Sequence, residues 1–208
     1  MNYTQKVKLV TQTSLYIKLS REELLELIRE NLSQKRYDHV LRVEKIGLQL
    51  AEQYGESLEK TSIACLLHDL KKQEDDQTSR QTIISENLPL NLLDFGNSVW
   101  HGPVAAVYAE KQLDVSDEDI LNAIKNHTVG SEHMSVLEKI VFVADYIEPA
   151  RSFAAVEKAR KLAEESLDAV IGYASQQTLK NLLESKKKIY PQTILTYNKY
   201  LMTESEEI

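Results

Sequence analysis

Apolar residues recur along the chain at helical spacing, and strict alternation of the kind a strand needs is rare. Ser20 and Glu23 read as a capping box ahead of Leu24, Leu25, Leu27 and Ile28. A second helix is predicted from about Tyr37 to Tyr54, with His39, Val43, Ile46 and Leu50 on one face and Gly55 stopping it. A third covers about Leu58 to Lys72, with Ile63, Leu67 and Leu70 inward. Residues 73–80 read as a loop or helix start. His101-Gly102-Pro103 is expected to open a helix, since proline suits a first turn. Ser116 with Asp119 is expected to cap the next, in which Ile120, Ala123, Ile124 and His127 share a face. Residues 128–134 make a loop. Ser135 and Glu138 form another capping box ahead of LEKIVFVADYI, which ends at Pro149. Amphipathic helices over about 153–185, with a break expected near Gly172, and about 190–201 complete the pattern.

Six glycines and four prolines leave long stretches without a breaker, so the expected fold class is all-α, a compact multi-helix bundle. The division expected is an N-terminal extension over 1–19, a single helical domain over 20–201 and a flexible tail over 202–208. With 42% hydrophobic residues the 208-residue chain can build a sizeable core. A net charge of −7 gives no general affinity for nucleic acid or an anionic membrane. No run approaches the ~20 apolar residues of a membrane span. The N-terminal segment lacks a signal-peptide core, and the single Cys65, read as a packed core residue, permits no internal disulfide. A cytoplasmic protein is expected. The reading admits a homodimer.

The five histidines change the picture. His39, His68, His101 and His127 fall within or at the start of predicted helices, and three of them share or adjoin an apolar face. A lone histidine there is ordinarily a satisfied core residue. Here Asp69 adjoins His68, and Asp145 interrupts VFVADYI one turn after Val141. A buried carboxylate is costly unless paired or bound to a metal. Imidazole and carboxylate donors suit iron, manganese or zinc, and the lack of thiolates argues against a structural zinc site. Neighbouring positions on a helix differ by about 100° in azimuth, so His68 and Asp69 can meet one ion from two sides while His39 and Asp145 come from other helices.

In the order His39, His68-Asp69, Asp145 the chain resembles the HD superfamily of metal-dependent phosphohydrolases. The segments RYDHV (36–40), LLHDLKK (66–72), HGPVAA (101–106), NHTVG (126–130) and VADYIEPAR (143–151) resemble its YqeK-type branch. The likeness covers about residues 21–190. It implies an HD-domain bundle with the metal site between core helices. It also implies symmetrical hydrolysis of diadenosine tetraphosphate, or related dinucleoside polyphosphates, to two ADP, with iron the expected metal.

Carried over by position, the resemblance makes His39, His68, Asp69 and Asp145 the metal ligands. His101 and His127 then either bind substrate phosphate or complete a second metal site bridged by Asp69. One ion is favoured and two are admitted. Lys72 is matched to a phosphate-binding lysine, with Lys71 as its rival. Arg151, Arg36, Tyr146 and Thr128 are candidates to contact the nucleotide. A lysine at a helix end also favours the negative end of the macrodipole, and that plainer role stands beside the phosphate one. His133 lies outside the matching segments and reads as a surface residue. The rival functions are an HD phosphohydrolase acting on another nucleotide and a helical module that binds metal and nucleotide without turnover.

Overall fold

The computed structural model describes residues 15–201, so most of the N-terminal extension and the TESEEI tail lie outside the described residues. Among the described residues there are ten α-helices and no strand. They are α1 (Arg21–Asn31), α2 (Gln34–Tyr54), α3 (Leu58–Leu67), α4 (Asp76–Ser85), α5 (Asn97–Leu113), α6 (Glu118–Asn126), α7 (Val136–Ile147), α8 (Val156–Ala163), α9 (Leu167–Glu184) and α10 (Pro191–Tyr200). A short 3₁₀ segment, Leu90–Asp94, precedes α5.

Local chemistry explains most of the ends. Ser20 and Ser135 each accept a bond from the amide three residues on, and Glu23 and Glu138 reach back to the cap amides. Each box is worth about 1 kcal/mol. Gly55 ends α2 in the left-handed conformation. The helices α2, α3, α6 and α7 pack on one another, α5 lies along α6, and α9 backs α7. Their shared core includes Val40, Val43, Leu66, Leu67, Ile120, Ile124, Ile140 and Val141, all buried. A smaller cluster of Ile83, Leu92, Trp100 and Val104 seats α4 and the 3₁₀ segment against α5.

Several expected boundaries move, for identifiable reasons. The third helix stops at Leu67, so His68 and Asp69 stand at its end. The His68 ring donates from Nδ1 to the Cys65 carbonyl at 2.6 Å, the acceptor that the Asp69 amide would use in a continuing helix. The chain proceeds in three-residue turns, Leu70 N to Leu67 O and Lys72 N to Asp69 O. The same device ends α6, where the His127 ring takes the Ile124 carbonyl at 2.7 Å. Pro103 does not open α5, which begins at Asn97 and carries the proline in its interior; its missing N–H leaves Val99 without the usual amide partner. The cap of α6 is Asp117, not Ser116, because its carboxylate accepts from both the Asp119 and Ile120 amides. The break expected near Gly172 falls at 164–166, and Ser166 caps α9. Gly172 serves close approach instead: a Cβ there would lie 2.0 Å from the Tyr200 carbonyl oxygen of α10.

Candidate metal centre

Three helix ends and two helix beginnings supply the site. His39 sits in the second turn of α2, His68 and Asp69 at the end of α3, and His101 near the start of α5. His127 caps the end of α6, and Asp145 lies in the last turn of α7. Three helix C-termini, those of α3, α6 and α7, therefore bring their partial negative charge to one place, which favours a cation. Gly102 makes the approach of α5 to α6 possible, since a Cβ there would lie 2.6 Å from the Lys125 carbonyl and 3.4 Å from the His127 ring.

Each of the four rings has its Nδ1 tied to an acceptor. His39 donates to Glu148 Oε1 at 3.2 Å, His68 to Cys65 O at 2.6 Å, His101 to Asn97 O at 2.7 Å and His127 to Ile124 O at 2.7 Å. A carbonyl or carboxylate can only accept, so the proton is fixed on Nδ1 and the lone pair of a neutral ring on Nε2. All four Nε2 atoms then face one another and the carboxylates. His39 Nε2 is 3.0 Å from Asp145 Oδ1 and 3.5 Å from Asp69 Oδ2. His68 Nε2 is 3.6 Å from Asp69 Oδ2. On the other oxygen, Asp69 Oδ1 is 3.3 Å from His101 Nε2 and 3.8 Å from His127 Nε2.

This arrangement is poor as a closed hydrogen-bond network. His39 Nε2 and His68 Nε2 are buried without a hydrogen-bond partner. His101 Nε2 and His127 Nε2 stand 2.9 Å apart, both acceptors in the tautomer that their Nδ1 bonds impose. Buried acceptors facing acceptors are unfavourable unless a cation lies between them. Burial pushes the His68 imidazole below its ordinary value; burial and then the neighbouring His101 push His127 well below it, so both rings are neutral near pH 7. Burial alone would raise the Asp69 carboxyl, but its surroundings hold it well below the usual carboxylate range, and the Arg36 guanidinium lies 2.7 Å from Oδ2, so Asp69 is ionised. Neutral imidazoles and ionised carboxylates are the forms that ligate a divalent transition metal. Three overlapping groups meet that geometry: His39, His68 and Asp69; His68, His127 and Asp145; and Asp69, His101 and His127.

The remaining expected residues divide. Lys72 belongs to the site, with Nζ 3.4 Å from both ring nitrogens of His101, whereas Lys71 turns to Glu74 at 2.9 Å and to the Tyr108 ring. Thr128 Oγ1 is 2.9 Å from His127 Nε2 and 3.2 Å from His101 Nε2. Arg36 reaches Asp69 Oδ2 at 2.7 Å, and Arg151 reaches Asp145 Oδ1 at 2.6 Å. Both guanidiniums are partly exposed, so they stand at the rim where an incoming anion would meet them. Tyr146 packs edge-to-face on Phe153, and burial pushes its hydroxyl up to about 12. His133 is exposed.

Two further residues, Glu148 and its partner Arg42, were not expected from the sequence. Glu148, 3% exposed, holds the His39 ring and also accepts from Arg42 Nε at 2.7 Å and the Ala150 amide at 2.8 Å. Its place beside Pro149, just past the apolar run, resembles an ordinary solvated helix end. The available signal was the i, i+3 spacing of His39 and Arg42, which puts an imidazole and a guanidinium on neighbouring positions of one helix face.

Comparison with known proteins agrees with this geometry. The HD domain family model matches residues 36–150. A symmetrical bis(5′-nucleosyl)-tetraphosphatase of Bacillus subtilis is 39% identical over 180 residues, 86% of this chain and 97% of the relative. One from Staphylococcus aureus is 38% identical and covers 86% of this chain and 93% of its own length. The crystal structure of a Clostridium acetobutylicum protein, described as a predicted HD superfamily hydrolase involved in NAD metabolism, superposes with a TM-score of 0.84 at 34% identity. That match covers 88% of this chain and 97% of the other.

Proposed function

Because the chain belongs to the HD domain family, we propose that it is a metal-dependent symmetrical bis(5′-nucleosyl)-tetraphosphatase, splitting diadenosine tetraphosphate into two ADP. The observation that carries the reading is the convergence of four imidazole Nε2 atoms on two carboxylates, two of those nitrogens being buried without a partner. We assign iron as the resident ion, with manganese or zinc as substitutes.

His39, His68, Asp69 and Asp145 hold the ion in this reading. Asp69 Oδ1, His101 and His127 either offer an adjoining ion position or, with a ring protonated, donate to phosphate oxygens. When bound, the metal lowers the pKa of a water and draws charge from phosphoryl oxygens. The chain's own groups bind and orient the substrate. Lys72 Nζ, beside His101, donates to a non-bridging oxygen of the phosphoryl group under attack. Arg36 and Arg151, at the rim, take neighbouring phosphates with paired N–H donors. The Thr128 hydroxyl gives the chain a further donor where His101 and His127 meet. Water adds to an inner phosphorus, the central P–O bond breaks, and the departing ADP carries off the electron pair. The same cations stabilise the charge that gathers on the leaving oxygen.

We place the protein in the cytoplasm on the strength of its single, buried cysteine. Its acidic balance gives no footing for a nucleic-acid partner. Product analysis tests the proposal: protein loaded with iron or manganese is given diadenosine tetraphosphate and a panel of mononucleotides. ADP as sole product from the dinucleotide is expected. Cleavage of a mononucleotide with the dinucleotide untouched refutes the substrate. Metal and ADP binding without turnover on any nucleotide refutes the enzyme.

A further inference from the structure

The turn that leaves α7 carries two groups of the site. Glu148 accepts from the His39 ring at 3.2 Å, and Arg151 donates to Asp145 Oδ1 at 2.6 Å and to the Asp145 carbonyl at 3.2 Å. Apolar packing does little to fix that turn. Pro149, Ala150, Ser152 and Ala154 are exposed, and Phe153 is 40% exposed with its ring against Tyr146. Polar bonds must hold it instead. Arg160 of α8 donates from Nε to the Ile147 carbonyl at 3.1 Å, and from Nη2 to the Glu148 carbonyl at 2.8 Å and the Arg151 carbonyl at 3.0 Å. Its Nη1 pairs with Glu157, one turn back on the same helix. Val156, Ala159 and Ala163 bury a face of α8, which packs on α7 and α9 and so fixes where the Arg160 side chain begins.

We infer that Arg160 is a positioning residue for the metal centre, an inference that rests on the metal-dependent reading above. Its three acceptors bracket the turn, from Ile147 at the end of α7 to Arg151. A guanidinium meets them together because its donors diverge within one plane, whereas an ammonium is a point donor. Glu148 is thereby held at both ends, its carboxylate by Arg42 and the Ala150 amide and its carbonyl by Arg160. Without Arg160 these carbonyls turn to water, the turn loosens, and Glu148 and Arg151 lose their aim together. The effect on the metal has a sign that charge alone does not give. Removing a nearby cation favours a divalent ion by Coulomb attraction; loosening the partner that orients His39 disfavours it.

Calorimetric titration separates the two. Metal-free Arg160→Ala is titrated with manganese, and the manganese-saturated protein is then titrated with inorganic pyrophosphate. The manganese dissociation constant is expected to rise about tenfold, the scale of a lost orienting partner. That of pyrophosphate is expected to rise about tenfold as Arg151 loses its aim, the scale of one hydrogen bond to a charged group. Guanidinium at about 20 mM, far below denaturing concentrations, is expected to restore much of both affinities, and ammonium at the same concentration is not. Arg160→Lys keeps the charge and is expected to weaken manganese at least about fivefold, because an ammonium cannot replace the fork. It decides the matter if Arg160→Ala does not fold. Manganese affinity within about twofold of wild type, or tightened as charge alone dictates, overturns the inference whatever the melting point does. No difference between guanidinium and ammonium overturns it too. Should wild type leave diadenosine tetraphosphate uncleaved while manganese binding responds in this way, the positioning role stands and the substrate assignment falls. Cleavage by wild type with manganese affinity unaltered in the variants overturns the positioning role alone.

Discussion

Replacing Glu148 by glutamine changes one atom and tests how the His39 ligand is held. Glu148 Oε2 already accepts from Arg42 Nε at 2.7 Å and the Ala150 amide at 2.8 Å. In Glu148→Gln the amide oxygen must take that place, because an NH₂ there would face two donors. The NH₂ then points at His39 Nδ1, which stands 3.2 Å from Oε1 in the wild type. To satisfy it, His39 must give up the Nδ1 proton and carry it on Nε2, the atom that faces Asp69 and Asp145. A ring in that tautomer cannot ligate. Losing an orienting partner of this kind weakens metal binding about 10- to 100-fold, or roughly 1.4 to 2.8 kcal/mol. Calorimetric titration of the metal-free variant with manganese measures it. Turnover at saturating metal should return to within about threefold of wild type, since the loss is in affinity. A variant whose melting point falls while its manganese affinity stays within twofold of wild type refutes the reasoning and reduces Glu148 to a structural role.

Two further outcomes follow from the packing and the buried imidazoles. Gly172→Ala puts a Cβ 2.0 Å from the Tyr200 carbonyl; overpacking of about 3 kcal/mol, less about 1 kcal/mol gained in helix propensity, leaves a loss of about 2 kcal/mol. A thermal melt should fall by about 4 to 8 °C, and an unchanged midpoint contradicts the close approach. Burial depresses His68, and burial with His101 depresses His127, below the ordinary 6.5, so below that pH the unfolded chain binds more protons than the folded one. The metal-free protein should keep this stability above about pH 6.5 and lose it as the pH falls further. Melting curves of chelator-treated protein between about pH 8 and 5 report the slope; a midpoint that is flat or rises toward acid contradicts it.

The candidate site residues were legible because they are chemically out of place. Imidazoles and carboxylates on apolar helix faces need a reason, and His39, His68, Asp69, His101, His127 and Asp145 meet in one cluster. The all-helical class was legible from spacing and scarce breakers. What the sequence hid are competitions between side chains and backbone. Nothing in LLHDLKK signals that the His68 ring takes the Cys65 carbonyl and that the helix ends at Leu67, just before the doublet. Nor does HGP reveal that Pro103 sits inside α5, or that Gly102 is there for the approach to α6. Glu148 stayed hidden because its partners, His39 and Arg42, lie more than a hundred residues away. The rivalry of Lys71 and Lys72 turned on the turns that follow Asp69, which direct Lys72 to His101 and leave Lys71 with Glu74.

The central claim is that these donors hold a metal on which hydrolysis depends. The most direct test is the metal-to-protein ratio of wild type and Asp69→Ala, both purified without oxygen and assayed in parallel on diadenosine tetraphosphate. Asp69 offers one carboxylate oxygen to the His39 and His68 side and the other to His101 and His127. The account predicts that wild type retains iron and yields ADP, and that Asp69→Ala loses metal and activity together. An Asp69→Ala protein that keeps both contradicts it.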